Sequence, residues 1–333
     1  MPRILSGVQP TGNTHLGNYI GAFRQWVEMQ HDFDAYYFVV DLHAITLPYD
    51  PKELADRTLE VAAILLACGL DPEVCTVFVQ SHVPEHSELA WLLNHLSTVG
   101  ELRRMTQFKA KAAEGGEGAL PAGYFNYPVL QAADILIYQA DRVPVGEDQR
   151  QHLELTRDVA ERFNARFGQT FVVPEAYIPE VGGRVMDLQD PKAKMSKSGV
   201  SPAGRIQMLD PPEVIRKKIR SAVTDSGREV VARPDKPAIS NLLELFSVAS
   251  GRKLSELEQA YAGRGYGEFK ADLAEAVVAY LAPLQERYRR LRDDPDRLAG
   301  ILEAGAAKAQ AVARTNLALA KERMGFLPRR SQG

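Results

Sequence analysis

Arg3-Ile-Leu-Ser-Gly-Val8, then Gln9-Pro-Thr-Gly-Asn13, then His15-Leu-Gly-Asn18 is the stretch from which the fold is read. The first six residues form a short apolar run that reads as a buried strand, and Pro10 and Gly12 punctuate a turn after it. From about His15 the side chains of Leu16, Tyr19, Ile20, Phe23 and Val27 recur at helical spacing. This strand, loop and helix aim the helix's free N–H groups and its positive dipole end past the strand, where a phosphate is the usual occupant.

Outward from this unit the same alternation repeats. Ala35-Tyr-Tyr-Phe-Val-Val40 is a second buried strand ending in Asp41-Leu-His43, and Val74–Val79 is a third. Between them Asp50-Pro-Lys-Glu53 opens a helix with an N-cap, a first-turn proline and a capping-box glutamate, and Gly69 closes it. Strands alternating with helices imply a parallel sheet whose ligands sit at the carboxyl ends of the strands, where Gln9, His43 and Gln80 fall. A helical region from about Glu85 to Lys111 precedes residues 114–123, rich in Gly and Ala and expected to be mobile. Tyr127 to Gln139 reads as a helix, Val143-Pro-Val145 as a short strand, and Gly146–Gln149 as a turn into a helix ending near Gly168. Beyond Pro202 the pattern is helical throughout, with capping boxes at Asp210–Glu213 and Ser255–Glu258 and an amphipathic helix from Phe269 to Arg292.

Composition narrows the class. The 333 residues, 45% hydrophobic and 25% charged, suit an ordinary globular chain with a sizeable core and two structural units. No apolar run reaches the roughly 20 residues that span a bilayer, and no signal peptide is visible, so the cytoplasm is the expected location. The two cysteines, Cys68 and Cys75, lack metal-ligand spacing, and no metal-binding residues are assigned. A formal charge of −3 hides an asymmetry: residues 201–333 hold 23 Lys and Arg against 17 Asp and Glu, making this part the better polyanion surface.

Chemistry concentrates in Asp190-Pro-Lys-Ala-Lys-Met-Ser-Lys-Ser-Gly-Val-Ser201, where Lys192, Lys194 and Lys197 alternate with small and hydroxylated residues. Lys194-Met-Ser-Lys-Ser198 resembles the signature loop of the class I aminoacyl-tRNA synthetases, and His15-Leu-Gly-Asn18 is similar to their His-Ile-Gly-His motif. Ser6–Gly12, Asp41–Thr46, Met105-Thr-Gln-Phe-Lys109, Ala132-Ala-Asp134 and Val143–Gln149 extend the resemblance over nearly the whole chain, towards the bacterial tryptophanyl branch of that family.

The resemblance implies an α/β fold: a Rossmann-like parallel sheet in a catalytic part at 1–200, with an insertion at about 85–140 carrying dimer contacts. An all-helical part at 201–333 would bind the tRNA anticodon, with its last helix packing back on the catalytic part. It also implies that L-tryptophan and ATP form an adenylate, that tRNA(Trp) accepts the amino acid, that Mg²⁺ travels with the phosphates, and that the protein is a homodimer. Gln9, Lys111, Lys194 and Lys197 would act on the transferring phosphates. ATP would be held by these together with Pro10, Thr11, His15, Gly17, Asn18, Gly146, Glu147, Asp148, Val185, Met195, Ser196 and Ser198. The attacking group in such a reaction is the amino acid's own carboxylate, so catalysis becomes positioning and charge stabilisation.

Amino-acid choice rests on Tyr127, Gln131 and Asp134, whose i, i+4, i+7 spacing puts them on one helix face. By resemblance the indole lies among Leu5, Val143 and Val145 with its N–H on Asp134, and His43 and Gln149 join the pocket. Gln131 stands where a common family pattern has Met, and Gln-x-x-Asp is also similar to the tyrosyl branch. A buried carboxylate accepts from an indole N–H or a phenol O–H alike, so Asp134 alone does not decide. Gly146-Glu-Asp-Gln149, the Met105–Lys109 segment and the absence of an appended basic module favour tryptophan. Tyrosine activation and a synthetase paralogue with a binding or regulatory role remain the alternatives.

Overall fold

The computed structural model describes all residues except 13, 147–148, 179–184, 197–200 and 329–333. Strands β1 (Arg3–Val8), β2 (Asp34–Val39), β3 (Thr76–Val79), β4 (Arg142–Pro144) and β5 (Glu175–Tyr177) form one sheet in the order β3-β2-β1-β4-β5. Every pairing is parallel, the Rossmann-like arrangement anticipated from the alternation of strands and helices. The chain builds outward from β1 to β3 and then returns to the far side of β1 for β4. Strand order therefore reverses between β1 and β4, and a crevice opens beyond their carboxyl ends.

Fourteen α-helices are assigned among the described residues. The helical segment after β1 is composite: α1 (Leu16–Asn18), a π-helical stretch (Tyr19–Phe23) and α2 (Arg24–Met29). A single turn, α3 (Asp41–Ala44), follows β2 and leads to α4 (Pro51–Cys68). Asp50 caps α4 by accepting from Lys52 N at 2.9 Å, and Gly69 ends it in the left-handed region at φ 118°. Glu53 does not close a capping box there; its carboxylate pairs with Arg57 one turn later.

The helical region expected from 85 to 111 consists of α5 (Glu85–Leu93), α6 (Val99–Arg104) and α7 (Thr106–Gly115). A second capping pair, Thr98 with Glu101, starts α6 afresh. Within 114–123 the chain makes a 3-10 turn at Glu117–Ala119, and α8 (Ala122–Leu136) begins earlier than periodicity suggested, with Pro128 inside it. Next come α9 (Arg150–Phe167), α10 (Pro212–Ser221), α11 (Pro237–Ser250), α12 (Leu254–Ala260), α13 (Tyr266–Arg292) and α14 (Pro295–Arg323). The anticipated boxes at Asp210–Glu213 and Ser255–Glu258 are not the caps used. Asp210 instead accepts from Lys218 Nζ at 2.6 Å, Glu258 from Ala232 N at 2.7 Å, and α12 starts one residue before Ser255.

Side chains alternate across the sheet with period two. Leu5, Tyr36, Phe38 and Phe78 pack in a core shared with α5, α8 and α9, whereas Ile4, Tyr37, Val39, Val77 and Val79 pack with α2 and α4 on the other face. Helix α14 joins both cores: Leu298 and Leu302 belong to one and Ala306, Ala309, Ala313 and Leu317 to the other. It changes face at Gly305, where an added Cβ would lie 1.9 Å from Val77 O, so only glycine lets the helix cross the edge strand β3. Arg287 and Arg292, near the end of the amphipathic helix, tie α13 to α4: Arg287 Nε donates to Ala67 O at 2.6 Å and Arg292 pairs with Asp56.

Glu101 carries a pH prediction. Hydrogen bonds from the Arg162 guanidinium of α9, joined by those from Thr98, outweigh its partial burial and hold its carboxyl down at about 2. A depressed carboxyl contributes stability that is present above the ordinary value of 4.5 and lost as pH falls through about 2. Discounted for the exposure of Arg162, the pair contributes ~1–2 kcal/mol at pH 7. Urea melts at pH 7, 4 and 2.5 are expected to show Glu101→Gln less stable at neutrality and converging on the wild type in acid; a gap independent of pH would assign the effect to packing.

Candidate active site

The crevice at the β1/β4 switch holds a cavity of about 360 Å³. Leu5, Ser6 and Gly7 of β1 and Val143, Pro144 and Val145 at the end of β4 form its apolar walls with Phe38 and Val40. Tyr127, Gln131 and Asp134 reach it from the inward face of α8, and Gln9, His43 and Gln149 come from the loops after β1, β2 and β4. All eight residues that the sequence nominated for the amino acid thus line one space.

Asp134 is its polar centre, with 3% of its surface exposed. Gln80 Nε2 donates to both carboxylate oxygens at 2.8 and 2.9 Å, His86 Nδ1 lies 2.6 Å from Oδ1, and His43 Nε2 lies 2.9 Å from Oδ2. Gln80 cannot reverse its amide without loss, because its Oε1 accepts from Leu42 N at 3.2 Å. Burial pushes the Asp134 carboxyl upward, but the hydrogen bonds and charge of the two histidines prevail and hold it below its ordinary value. The carboxylate is therefore ionised at neutral pH and acts as acceptor only, so each imidazole nitrogen facing it carries a proton. A solvated anion would suffer in such a site; this one is stabilised by converging donors.

Further out, the Tyr127 hydroxyl donates to Gln107 Oε1 at 2.7 Å and meets His152 Nε2 at 2.8 Å, while Gln131 Nε2 donates to Gln149 Oε1 at 3.2 Å. A second cavity of about 420 Å³ adjoins the first and shares Gln9, His43, Gln107 and Tyr127 with it. Pro10, Thr11 and Arg57 lie on its wall.

The lysine loop meets the first turn after β1 through a hydrophobic anchor. Met195 is 1% exposed and packs with Leu16, Ile20 and Val185; its N–H donates to Val185 O at 3.1 Å, and Lys194 bridges Met186 in antiparallel fashion. A Cβ on Gly17 would stand 3.0 Å from His15 Nδ1 and 3.4 Å from Met195 Cβ, so the small residue is what lets loop and turn approach. Lys194 itself is exposed and Ser196 half-buried. The expectation of free N–H groups at this helix start is narrowed: Leu16 N–H donates to Ile206 O at 2.8 Å, and His15 N–H to Asn18 Oδ1 at 3.1 Å.

Lys111 stands apart, on neither cavity wall, with its Nζ 2.7 Å from Glu114 Oε2. Gly146 is exposed and accepts from Gln149 N at 3.0 Å. Glu147, Asp148, Lys197 and Ser198 lie outside the described residues. Gln80, His86, Gln107 and His152 belong to the site but were not among the nominated residues. Gln80 and Gln107 carried a signal, the one at a strand end and the other inside Met105–Lys109; His86 and His152 sit mid-pattern on helices and carried none.

Comparison with known proteins agrees with this geometry. The family of tRNA synthetases class I (W and Y) matches residues 1–282. The chain is 57% identical over 331 residues to tryptophan–tRNA ligase 2 of Streptomyces avermitilis, covering 98% of each, and 51% identical to tryptophan–tRNA ligase of Clostridium tetani, covering 97% of this chain and 96% of the relative. Its fold is similar to the tryptophanyl-tRNA synthetase of Mycoplasma pneumoniae (TM-score 0.87, 39% identity, 98% of each chain). The Campylobacter jejuni tryptophanyl-tRNA synthetase, solved with ADP and tryptophan, is also similar (TM-score 0.85, 36% identity, 97% of this chain and 100% of that one). The chain belongs to the class I tRNA synthetases of the tryptophan and tyrosine group, within the branch of the bacterial tryptophan–tRNA ligases.

Proposed function

We propose that this protein is an ATP-dependent tryptophan–tRNA ligase: it activates L-tryptophan to the adenylate, releasing pyrophosphate, and transfers it to the 3′-terminal ribose of tRNA(Trp). The observation that carries the reading is the ionised, acceptor-only carboxylate of Asp134 at the end of an apolar cavity, in a chain whose curated relatives are tryptophan–tRNA ligases. An indole offers an apolar body and one N–H donor, and this cavity offers the complement.

The chain's own residues then position and neutralise. Gln9, shared by both cavities, sits where amino-acid carboxylate and α-phosphate would meet. Lys194 and Lys197 draw charge off the departing pyrophosphate, joined by Lys111 once it leaves Glu114. Pro10, Thr11, His15, Gly17, Asn18, Val185, Met195, Ser196 and Ser198 frame the nucleotide, with Gly146, Glu147 and Asp148 accepting from the ribose hydroxyls. Mg²⁺ would ride on the phosphate oxygens and water, neutralising their charge; among the described residues no cluster of three His, Cys, Asp or Glu offers a protein cage.

The helical part from residue 201 is proposed to carry the tRNA, its Lys and Arg excess supplying phosphate contacts. Arg216, Arg220 and Lys270 line a groove between α10 and α13 that suits this role. A second copy of this chain is proposed to cover Trp91 of α5, 76% exposed, and Val99 of α6, 57% exposed, within the insertion at 85–140. The cytoplasm is the proposed location; among the described residues no helix is long and apolar enough to cross a membrane.

The test is ATP–pyrophosphate exchange with tryptophan and with tyrosine as separate substrates, followed by charging of tRNA(Trp). Exchange on tryptophan alone, with charging, is expected. Exchange on tyrosine would make Gln131 the better guide, and silence with both would move the chain to a binding role.

A further inference from the structure

Asp134 selects an indole only if its carboxylate is held in one rotation with one oxygen turned to the ligand. Of the groups that hold it, only His43 lines the cavity, and it bonds Oδ2. The other oxygen, Oδ1, is gripped from behind by Gln80 and His86, neither of which lines the cavity, and Gln80 also reaches Oδ2 at 2.9 Å. Each oxygen has two partners, but Oδ2 shares the cavity-lining His43 and is the one on the ligand's side, whereas both partners of Oδ1 lie off the cavity wall and make it the anchor.

His86 has a complete set of constraints. Its side chain is 0% exposed and leans on the Phe38, Phe78 and Tyr138 rings at centroid distances of 5.7, 6.0 and 5.3 Å. Its Nε2 lies 2.7 Å from the Tyr138 hydroxyl. Burial pushes that phenol upward, so it keeps its proton, and Nδ1, which faces the acceptor-only Asp134 carboxylate, carries a proton whatever the charge of the ring. The preceding residue, Glu85, accepts from Gln310 Nε2 at 3.0 Å and Arg314 Nε at 3.0 Å of α14, which fixes the helical turn that carries the imidazole.

We propose that His86 is a positioning residue for substrate selection: by donating from Nδ1 to Asp134 Oδ1 it fixes the carboxylate so that Oδ2 reads the indole N–H. The inference rests on the tryptophan reading above and goes beyond it by assigning a residue that touches no substrate. It contributes selectivity for an N–H donor, not general affinity for an aromatic amino acid.

The two nitrogens can be kept one at a time. His86→Asn places an amide near the Nδ1 position and retains the donor to Asp134, whereas His86→Gln places one near Nε2 and retains the contact to Tyr138. Both are measured, beside the wild type, in ATP–pyrophosphate exchange with tryptophan and with its benzothienyl isostere, in which sulfur replaces the indole N–H. The wild type is expected to favour tryptophan in kcat/KM. His86→Gln is expected to shrink that preference at least tenfold, through KM for tryptophan, with the isostere changed less than about threefold; His86→Asn is expected to keep it within about threefold. A uniform loss on both substrates in His86→Gln, an unmoved preference, or equal behaviour of the two variants would each overturn the proposal. A wild type that exchanges on neither substrate would overturn the parent reading and the inference together; a wild type active on tryptophan confines any failure to His86.

Discussion

Asp134→Asn is expected to lower kcat/KM for tryptophan in pyrophosphate exchange by roughly 10²–10³, equivalent to about 3–4 kcal/mol of lost transition-state stabilisation. The change is isosteric, so the loss is a matter of protons. Gln80, His43 and His86 all present N–H groups to this position, and the new amide sets its own N–H against one of them. Two consequences combine: a buried donor is left unpaired, and the indole N–H meets a neutral acceptor in place of an ionised one. Because the clash is internal, the variant is also expected to melt several degrees lower with substrate absent. Calorimetry of the free protein beside steady-state exchange separates the two effects; an unchanged kcat/KM would remove Asp134 from recognition.

Lys194→Ala is the converse case: a large kinetic loss with little cost in stability. Lys194 is exposed and the buried anchor of its loop is the adjacent Met195, so truncation leaves the docking of the loop intact. Removing a preorganised cation from a developing pyrophosphate lowers the rate by roughly 10²–10³. Single-turnover adenylate formation is expected to fall by that factor, with tryptophan affinity in fluorescence titration within about threefold of wild type. Lys197→Ala is expected to behave alike, and Lys194→Arg to recover part of the rate. Equal losses in binding and rate would make the loop a structural element.

The parallel sheet was legible because apolar runs such as Ala35–Val40 and Cys75–Val79 bury both faces and announce themselves without alternation. Helix ends were legible where one residue had one local job, as with Asp50 and Gly69. They were misread where a side chain had a better distant partner: Glu53 takes Arg57, Asp210 takes Lys218 and Glu258 takes Ala232 N. Tertiary partners outcompete caps, and spacing along the chain does not reveal them.

The same division holds for the site. Tyr127, Gln131 and Asp134 converge because helix geometry brings i, i+4 and i+7 to one face, a relation contained in the spacing. That His86 grips Asp134 from 48 positions away follows only from how α5 lies against α8. Lys111 was nominated by resemblance, yet its pairing with Glu114 was not foreseen, since an i, i+3 ion pair competes with a role that begins only when phosphate arrives.

The crossing of α14 over β3 also bears on how the protein is made. The five strands of the described sheet have been synthesised by residue 177, but the helix that closes the β3 edge spans Pro295–Arg323. At roughly 5–20 residues per second, the ~240 residues between that strand and the end of α14 take on the order of 10–50 s to emerge. During that interval the nascent sheet presents a row of unpaired backbone groups at Thr76–Val79 with no helix across it. A chain stalled on the ribosome before α14 is expected to depend on holding chaperones, whereas one released after it does not.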